Sequence, residues 1–242
     1  MTKGYYSEDF TVVPSQCDVD AKMSVPAILD RFMDAASVHA EMIGVGIEAM
    51  RERGLFWLTA KTRVRILYRP SVMEPVTVRT WPQPALSAFC TRDYRITGKE
   101  GTVAEGRSVW AVLDTETGKV HPMKGIYPPD FPYETEENDL ATFARIDKDF
   151  SHSDVLGTYR VRSVDIDFGE HMNNVAYVRA LFGCFPCAYL QENPVTELEL
   201  NFLSPCHEGD LITFRSKKTA QGTEICAERD DGTLTLLAVL KP

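Results

Sequence analysis

Apolar positions recur through Ile28, Leu29, Phe32, Met33, Ala36 and Val38-His39 at a spacing of about 3.6, which predicts a helix. Ser24 stands in front of it as a good N-cap, and Val25-Pro26 opens it, where proline is tolerated. Gly44 and Gly46 break it, and Ile47–Arg53 reads as a second short helix ending near Gly54. Tyr5–Gln16 reads as a strand leading into Cys17-Asp18-Val19-Asp20. After the helices come Phe56–Leu67, long, β-rich and alternating in its second half, and then Val76–Trp81. Ala88–Ile96 and Thr102–Leu113 pair as a hairpin around Gly98-Lys99-Glu100-Gly101.

The texture then changes. From Pro122 to about Phe150 periodicity disappears, prolines recur (Pro122, Pro128-Pro129, Pro132) and Glu134–Asp139 is acidic, so this reads as a linker crossing the surface. Beyond it the order of elements repeats. Tyr159–Val164 answers Phe10–Pro14, and Asp165-Ile166-Asp167 answers Asp18-Val19-Asp20. Asn173-Asn174 answers Ser24, with two extra residues in the intervening turn, and a helix over Val175–Leu190 answers Val25–Ala40. Val195–Leu203, Leu211–Arg215, and a hairpin of Glu224–Glu228 with Leu234–Leu240 answer the first meander. The pattern predicts an α+β protein of two copies of one unit, each a helix against an antiparallel sheet: 1–121, a linker 122–150, and 151–242.

Candidate chemistry gathers between Val164 and Tyr177. Asp165–Phe168 alternates acid with apolar, as a half-wet strand does, and Gly169 ends the alternation. Asn173 and Asn174 precede the helical spacing of Val175, Val178 and Leu181-Phe182. The reading is strand, tight turn carrying His171, asparagine cap, helix. A helix start offers N–H groups and partial positive charge to an oxygen that becomes negative, so Asn173, Asn174 and Val175 are candidate substrate-binding positions. Asp167 and His171 beside it are the catalytic candidates, to orient water or donate a proton. The bland alternatives are an acid and a histidine that only bond the turn, and asparagines that only cap. The first-half turn, Asp18–Ser24, has no histidine, so catalysis is expected in the second unit. His39 reads as a core histidine. Cys206 is a candidate nucleophile, against the commoner role of small buried apolar residue. Cys184-Phe185-Pro186-Cys187 falls inside the expected helix with no second pair, so no metal site is expected.

Composition narrows the field. The 242 residues are 44% apolar and 25% charged, ordinary for a soluble protein with a sizeable core. A formal charge of −9, without long Lys or Arg runs, argues against nucleic acid and anionic membranes as partners. No stretch approaches the roughly 18 apolar residues of a membrane span, and the N-terminus carries no apolar signal core, so cytoplasm is the expectation. The six cysteines are then expected to be reduced.

The stretch from Asp165 to Val175 resembles the signature of the acyl-acyl-carrier-protein thioesterases, the plant plastid enzymes and their bacterial relatives. Phe32, Ala35-Ala36, His39-Ala40, Gly44, Trp57, Pro70 and Thr80-Trp81 resemble that family's first unit, so the likeness covers nearly the whole chain. It implies two tandem hot-dog units that hydrolyse the thioester between a fatty acyl chain and the phosphopantetheine arm of acyl carrier protein, releasing free fatty acid in fatty acid biosynthesis. It implies no metal or organic cofactor. The family's Asp-x-Asn-x-His motif falls on Asp167, Gly169 and His171, with glycine in place of Asn. The Glu that the family places after the second long strand, often followed by Cys, is replaced in Pro205-Cys206; Glu208 lies close by. An acidic carrier protein should prefer a basic patch, for which Arg63, Arg65, Arg69 and Arg79 are candidates. The alternatives are hydrolysis of acyl-coenzyme A or another thioester, or acyl binding without hydrolysis. Monomer and homodimer both remain open.

Overall fold

The structure is a computed structural model that describes residues 3–242. It divides into two compact units, Met1–Ala141 and Thr142–Pro242, and the division falls inside the expected linker.

The first unit runs β1 (Tyr6–Thr11), α1 (Val25–Met42), α2 (Ile47–Glu52), β2 (Leu55–Ile66), β3 (Pro75–Pro82), β4 (Cys90–Gly98), β5 (Gly101–Asp114) and the short β6 (Val120–His121). Its strands are antiparallel, in the order β1-β3-β4-β5-β2, with β6 pairing the far end of β5. Ser24 Oγ accepts the Ala27 N–H (3.3 Å), and Pro26 follows in the first turn, as the sequence predicts. The helix buries Ile28, Leu29, Phe32, Ala35, Ala36 and His39 and packs on β3 and β1. Removing such side chains from water stabilises the unit by roughly 1.5–3 kcal/mol for each large one.

The second unit runs β7 (Asp154–Arg160), α3 (Asn174–Phe182), α4 (Cys187–Glu192), β8 (Glu197–Phe202), β9 (Leu211–Thr219), β10 (Gly222–Arg229) and β11 (Leu234–Lys241). Its sheet is antiparallel in the order β8-β11-β10-β9-β7. Val175, Ala176, Val178 and Leu181 of α3 are buried, and the Tyr177 ring meets Phe202 of β8 edge-on at 5.9 Å.

Three expectations are corrected. The helix expected over Val175–Leu190 is two, α3 and α4, separated at 183–186. Pro186 lacks an N–H and disfavours helical backbone at the residue before it. Cys184 and Cys187 therefore flank the break, with Cys187 opening α4, rather than lying mid-helix. The strand expected through Asp165–Phe168 is absent: β7 stops at Arg160 and a 3-10 turn spans Ser163–Asp165. The acids cause this, because their side chains take backbone N–H groups that a ladder would use. Asp165 Oδ2 accepts from Arg162 N (2.8 Å) and from the Tyr159 hydroxyl (2.9 Å). Finally, the two turns before α1 and α3 have equal length, with no extra residues in the second.

Residues 122–150 hold no helix or strand, yet they lie against the sheets rather than free of them. Glu136 O accepts from Trp81 Nε1 (2.7 Å) and Gln83 Nε2 (2.8 Å). Buried Asn138 donates to Tyr94 O (2.8 Å) and Gly106 O (3.0 Å). In the second unit, Ile146 and Phe150 pack with Cys226, Leu237 and Val239. The acidic cluster takes up sheet arginines: Arg79 pairs with Glu134 (2.9 Å) and Glu136 (3.0 Å), and Arg95 with Glu136. This changes the expected basic patch. Arg65 pairs with Glu105 (2.5 Å), Arg69 with Asp18, and Arg63 is buried and donates to Ala141 O (3.3 Å). These arginines are committed to the protein's own acceptors.

Candidate active site

The turn of the second unit is built around Asp167. Its N–H donates to His171 O (3.1 Å), and its own carbonyl accepts from Glu170 N (3.0 Å). Its carboxylate Oδ1 accepts from Gly169 N (2.8 Å). Closing so short a loop forces Glu170 to φ 62°, the left-handed region. Ile166 and Met172 bridge at the base of the turn, and buried Met172 donates its N–H to Cys206 O (2.8 Å). Asn173 N donates to Asp165 O (2.8 Å), which brings the chain into α3.

The first unit repeats this turn bond for bond. Asp18 N donates to Lys22 O (2.9 Å), Ala21 N to Asp18 O (3.0 Å), Ser24 N to Gln16 O (2.9 Å) and Met23 N to Pro70 O (2.9 Å). Cys17 and Met23 bridge, and Ala21 has φ 55°. Asp167 thus answers Asp18, His171 answers Lys22, and Asn173 answers Ser24, in place of the pairing Asp165-Ile166-Asp167 with Asp18-Val19-Asp20 read from the sequence. The left-handed residue belongs to the turn itself, since it occurs in the copy that has no histidine.

At the helix start, Asn173 Oδ1 accepts from Val175 N (2.8 Å), while Asn173 Nδ2 donates to Asp167 Oδ2 (3.2 Å). The first intrahelical bond is Tyr177 N to Asn173 O (3.3 Å). The amides of Asn174 and Ala176 precede or flank it, in the first turn, where helix geometry provides no carbonyl. The structure therefore joins Asp167 to the backbone of His171 and, through Asn173, to the start of α3. Asp167, His171, Asn173 and Asn174 are each half-buried, and Val175 is buried with its N–H already used by Asn173.

Cys206 lies beneath the turn, fully buried, joined through its carbonyl to Met172. Burial pushes its thiol pKa up, which favours the protonated and unreactive form. Tyr177, buried on α3, is likewise pushed up by burial and donates to Ser204 O (3.4 Å). Cys184 sits against Gly157, its thiol also raised by burial. Among the described residues, no group of three or more His, Cys, Asp and Glu side chains is placed to hold a metal ion. The amide link from Asn173 to Asp167 was not read from the sequence. The matching spacing of Asp18 to Ser24 and Asp167 to Asn173 signals the shared backbone turn, not that link.

Comparison with known proteins covers both units. Residues 3–127 match the acyl-ACP thioesterase N-terminal domain, and residues 149–233 match the acyl-ACP thioesterase C-terminal domain. A chloroplastic oleoyl-acyl carrier protein thioesterase of Coriandrum sativum is 23% identical over 227 residues, covering 86% of this chain and 61% of the relative. A chloroplastic palmitoyl-acyl carrier protein thioesterase of Cuphea hookeriana is also 23% identical, over 86% of this chain and 53% of the relative. The chain thus spans about six-tenths or less of these curated relatives' length. An acyl-ACP thioesterase structure from Bacteroides thetaiotaomicron shares the fold with a TM-score of 0.90 at 19% identity, covering 98% of this chain and 97% of that one. The 12:0-ACP thioesterase of Umbellularia californica shares it at 0.82 and 16% identity, covering 100% and 98%.

Proposed function

We propose a function from one established premise: the chain belongs to the acyl-ACP thioesterase family. On our reading each unit is a hot-dog unit, two in tandem, and the protein hydrolyses the thioester of a fatty acyl chain on acyl carrier protein. The observation that carries this is the turn of the second unit, where Asp167 is fastened to the first turn of α3 beside His171.

The chemistry follows from what each group can do. The thioester carbonyl oxygen would accept from the amides at the start of α3, which favour the negative charge it gains when water adds. Asp167 has one lone pair of each oxygen engaged, by Gly169 and Asn173, and a carboxylate oxygen offers a second. It can therefore orient the attacking water and accept its proton. His171 would supply a proton to the sulfur as the carbon–sulfur bond breaks, giving a fatty acid and a free phosphopantetheine thiol. Cys206 has no part in this reading, because a buried protonated thiol is a poor nucleophile.

One pair of residues favours a second reading, an acyl-binding protein without hydrolysis. Gly169 and Pro205 stand where the family signature carries Asn and Glu. The test is thiol release from medium- and long-chain acyl carrier proteins, with the same acyl chains on coenzyme A alongside. Turnover that falls about 10²–10⁴-fold in His171→Ala is the expected result. Tight acyl binding with no thiol release over hours would instead establish the binding reading. Faster turnover on coenzyme A would move the substrate, not the mechanism.

A further inference from the structure

Asn173 has two polar groups, and both are engaged within its own unit. Its oxygen caps α3 and its amide nitrogen reaches Asp167 Oδ2 at 3.2 Å. The matching residue of the first unit, Ser24, caps α1 through Oγ and makes no bond to Asp18 among the described residues. Asp18 is held by Arg69 instead, which also reaches Asp20 at 3.4 Å. Arg69 precedes Pro70, the residue whose carbonyl accepts from Met23 N. In the second unit the corresponding acceptor is Cys206, and the residue before it is Pro205.

One backbone turn therefore holds its acid in two ways. In the first unit a guanidinium neutralises it. In the second an uncharged amide fixes it, and Asp167 makes no ion pair with any described residue. Arg229, which donates to Pro205 O (3.2 Å), pairs with Asp231 (2.9 Å) and not with Asp167. A guanidinium holds the acid with a counter-charge beside it, whereas an amide orients it through a hydrogen bond alone.

We propose that Asn173 is a positioning residue for Asp167: it locks the acid onto the start of α3 through a neutral hydrogen bond and so keeps the carboxylate oriented at the thioester site. The proposal rests on the hydrolase reading above. It assigns to the Asn173 side chain a role that reaches the substrate only through Asp167.

The test is Asn173→Ser, which keeps a capping oxygen, as Ser24 does, and removes the amide. The expected result is a kcat about 10- to 100-fold lower with KM within about twofold, because misorientation affects the reacting group and not binding. The melting temperature should hold, since the cap remains. Exchange of the Gly169 amide, whose acceptor is Asp167 Oδ1, should quicken at least about tenfold as the carboxylate is released. Wild-type kcat in this variant overturns the proposal, and so does unchanged Gly169 exchange. Should Asn173→Ser melt early, Asn173→Asp, another good cap without the donor, decides by the same two readouts. If the wild-type protein frees no thiol from any acyl thioester, the hydrolase reading fails, and Gly169 exchange alone decides whether Asn173 holds Asp167.

Discussion

Lys22 and His171 are the same position in two copies of one turn, each offering its carbonyl to the N–H of the preceding aspartate, Asp18 at 2.9 Å and Asp167 at 3.1 Å. The backbone is repeated while the side chains diverge. Lys22 is exposed beside an acid already paired with Arg69, so that turn has no imidazole and no uncommitted carboxylate. His171 is half-buried beside an acid held by an amide. The difference in chemistry lies in three substitutions on a shared scaffold: Lys22 against His171, Ser24 against Asn173, and Arg69 against Pro205.

Pro205→Arg should reproduce the first unit's arrangement in the second. The new guanidinium would stand where Arg69 stands relative to its own turn, within reach of Asp167. Neutralising that carboxylate is expected to lower kcat at least about tenfold, with little loss of stability, because the position is exposed. Steady-state thiol release by purified Pro205→Arg measures it. Pro205→Ala, which also removes the ring but brings no charge, should retain most of the activity.

Cys206→Ala separates a packing role from a covalent one. The side chain is fully buried and its thiol is raised by burial. Loss of the sulfur is expected to cost about 1–2 kcal/mol in chemical denaturation and to leave kcat within about threefold. A covalent nucleophile would instead lose activity by several orders of magnitude.

Most elements could be read from the chain because their signals are local. Ser24 and Pro26 mark the start of α1, and β-rich runs with the Gly98–Gly101 turn mark β2 through β5 to within a few residues. Two failures share a cause. The alternation of Asp165 to Phe168 imitates a strand, but strand periodicity does not register that Asp165 and Asp167 take up backbone N–H groups themselves. Extending α3 through Pro186 gave the apolar spacing more weight than the missing N–H. The fate of Glu134–Asp139 was out of reach, because its arginine partners come from β3, β4 and β5, far away in sequence. The site was legible as a spacing of Asp167, His171 and Asn173. Their linkage was not, because the amide meets the acid only once Glu170 turns left-handed.

Gly106 lies on β5 beneath α1, and a Cβ there would sit 2.5 Å from Phe32 Cε2 and 2.9 Å from Cδ2. Phe32 cannot withdraw easily, since it is fully buried and stacked on Tyr94 at 4.8 Å. Gly106→Ala is therefore expected to destabilise the protein by about 1–3 kcal/mol. The double variant with Phe32→Leu should recover part of this loss, because the smaller side chain opens the space. A double-mutant cycle by urea denaturation reads the coupling directly.

His39 should make the protein sensitive to mild acid. It is 1% exposed near the end of α1, and its Nδ1 lies 3.0 Å from Arg92 Nη1. Arginine only donates, so Nδ1 must accept and the ring proton sits on Nε2, facing Lys3 O at 3.2 Å. Burial, and then the Arg92 charge, lower the His39 pKa from 6.5 to about 4. The folded state thus keeps the ring neutral at pH values where the unfolded chain binds a proton. Stability from this site is whole above pH 6.5, falls as pH drops toward 4, and is lost below that, a change of up to about 3 kcal/mol. His39→Asn can keep an acceptor for Arg92 without the titration. It should be somewhat less stable than the wild type at pH 7.5, and the gap should narrow or reverse at pH 5. Urea denaturation of both proteins at the two pH values checks this, and a gap that stays constant would refute the assignment of the acid sensitivity to His39.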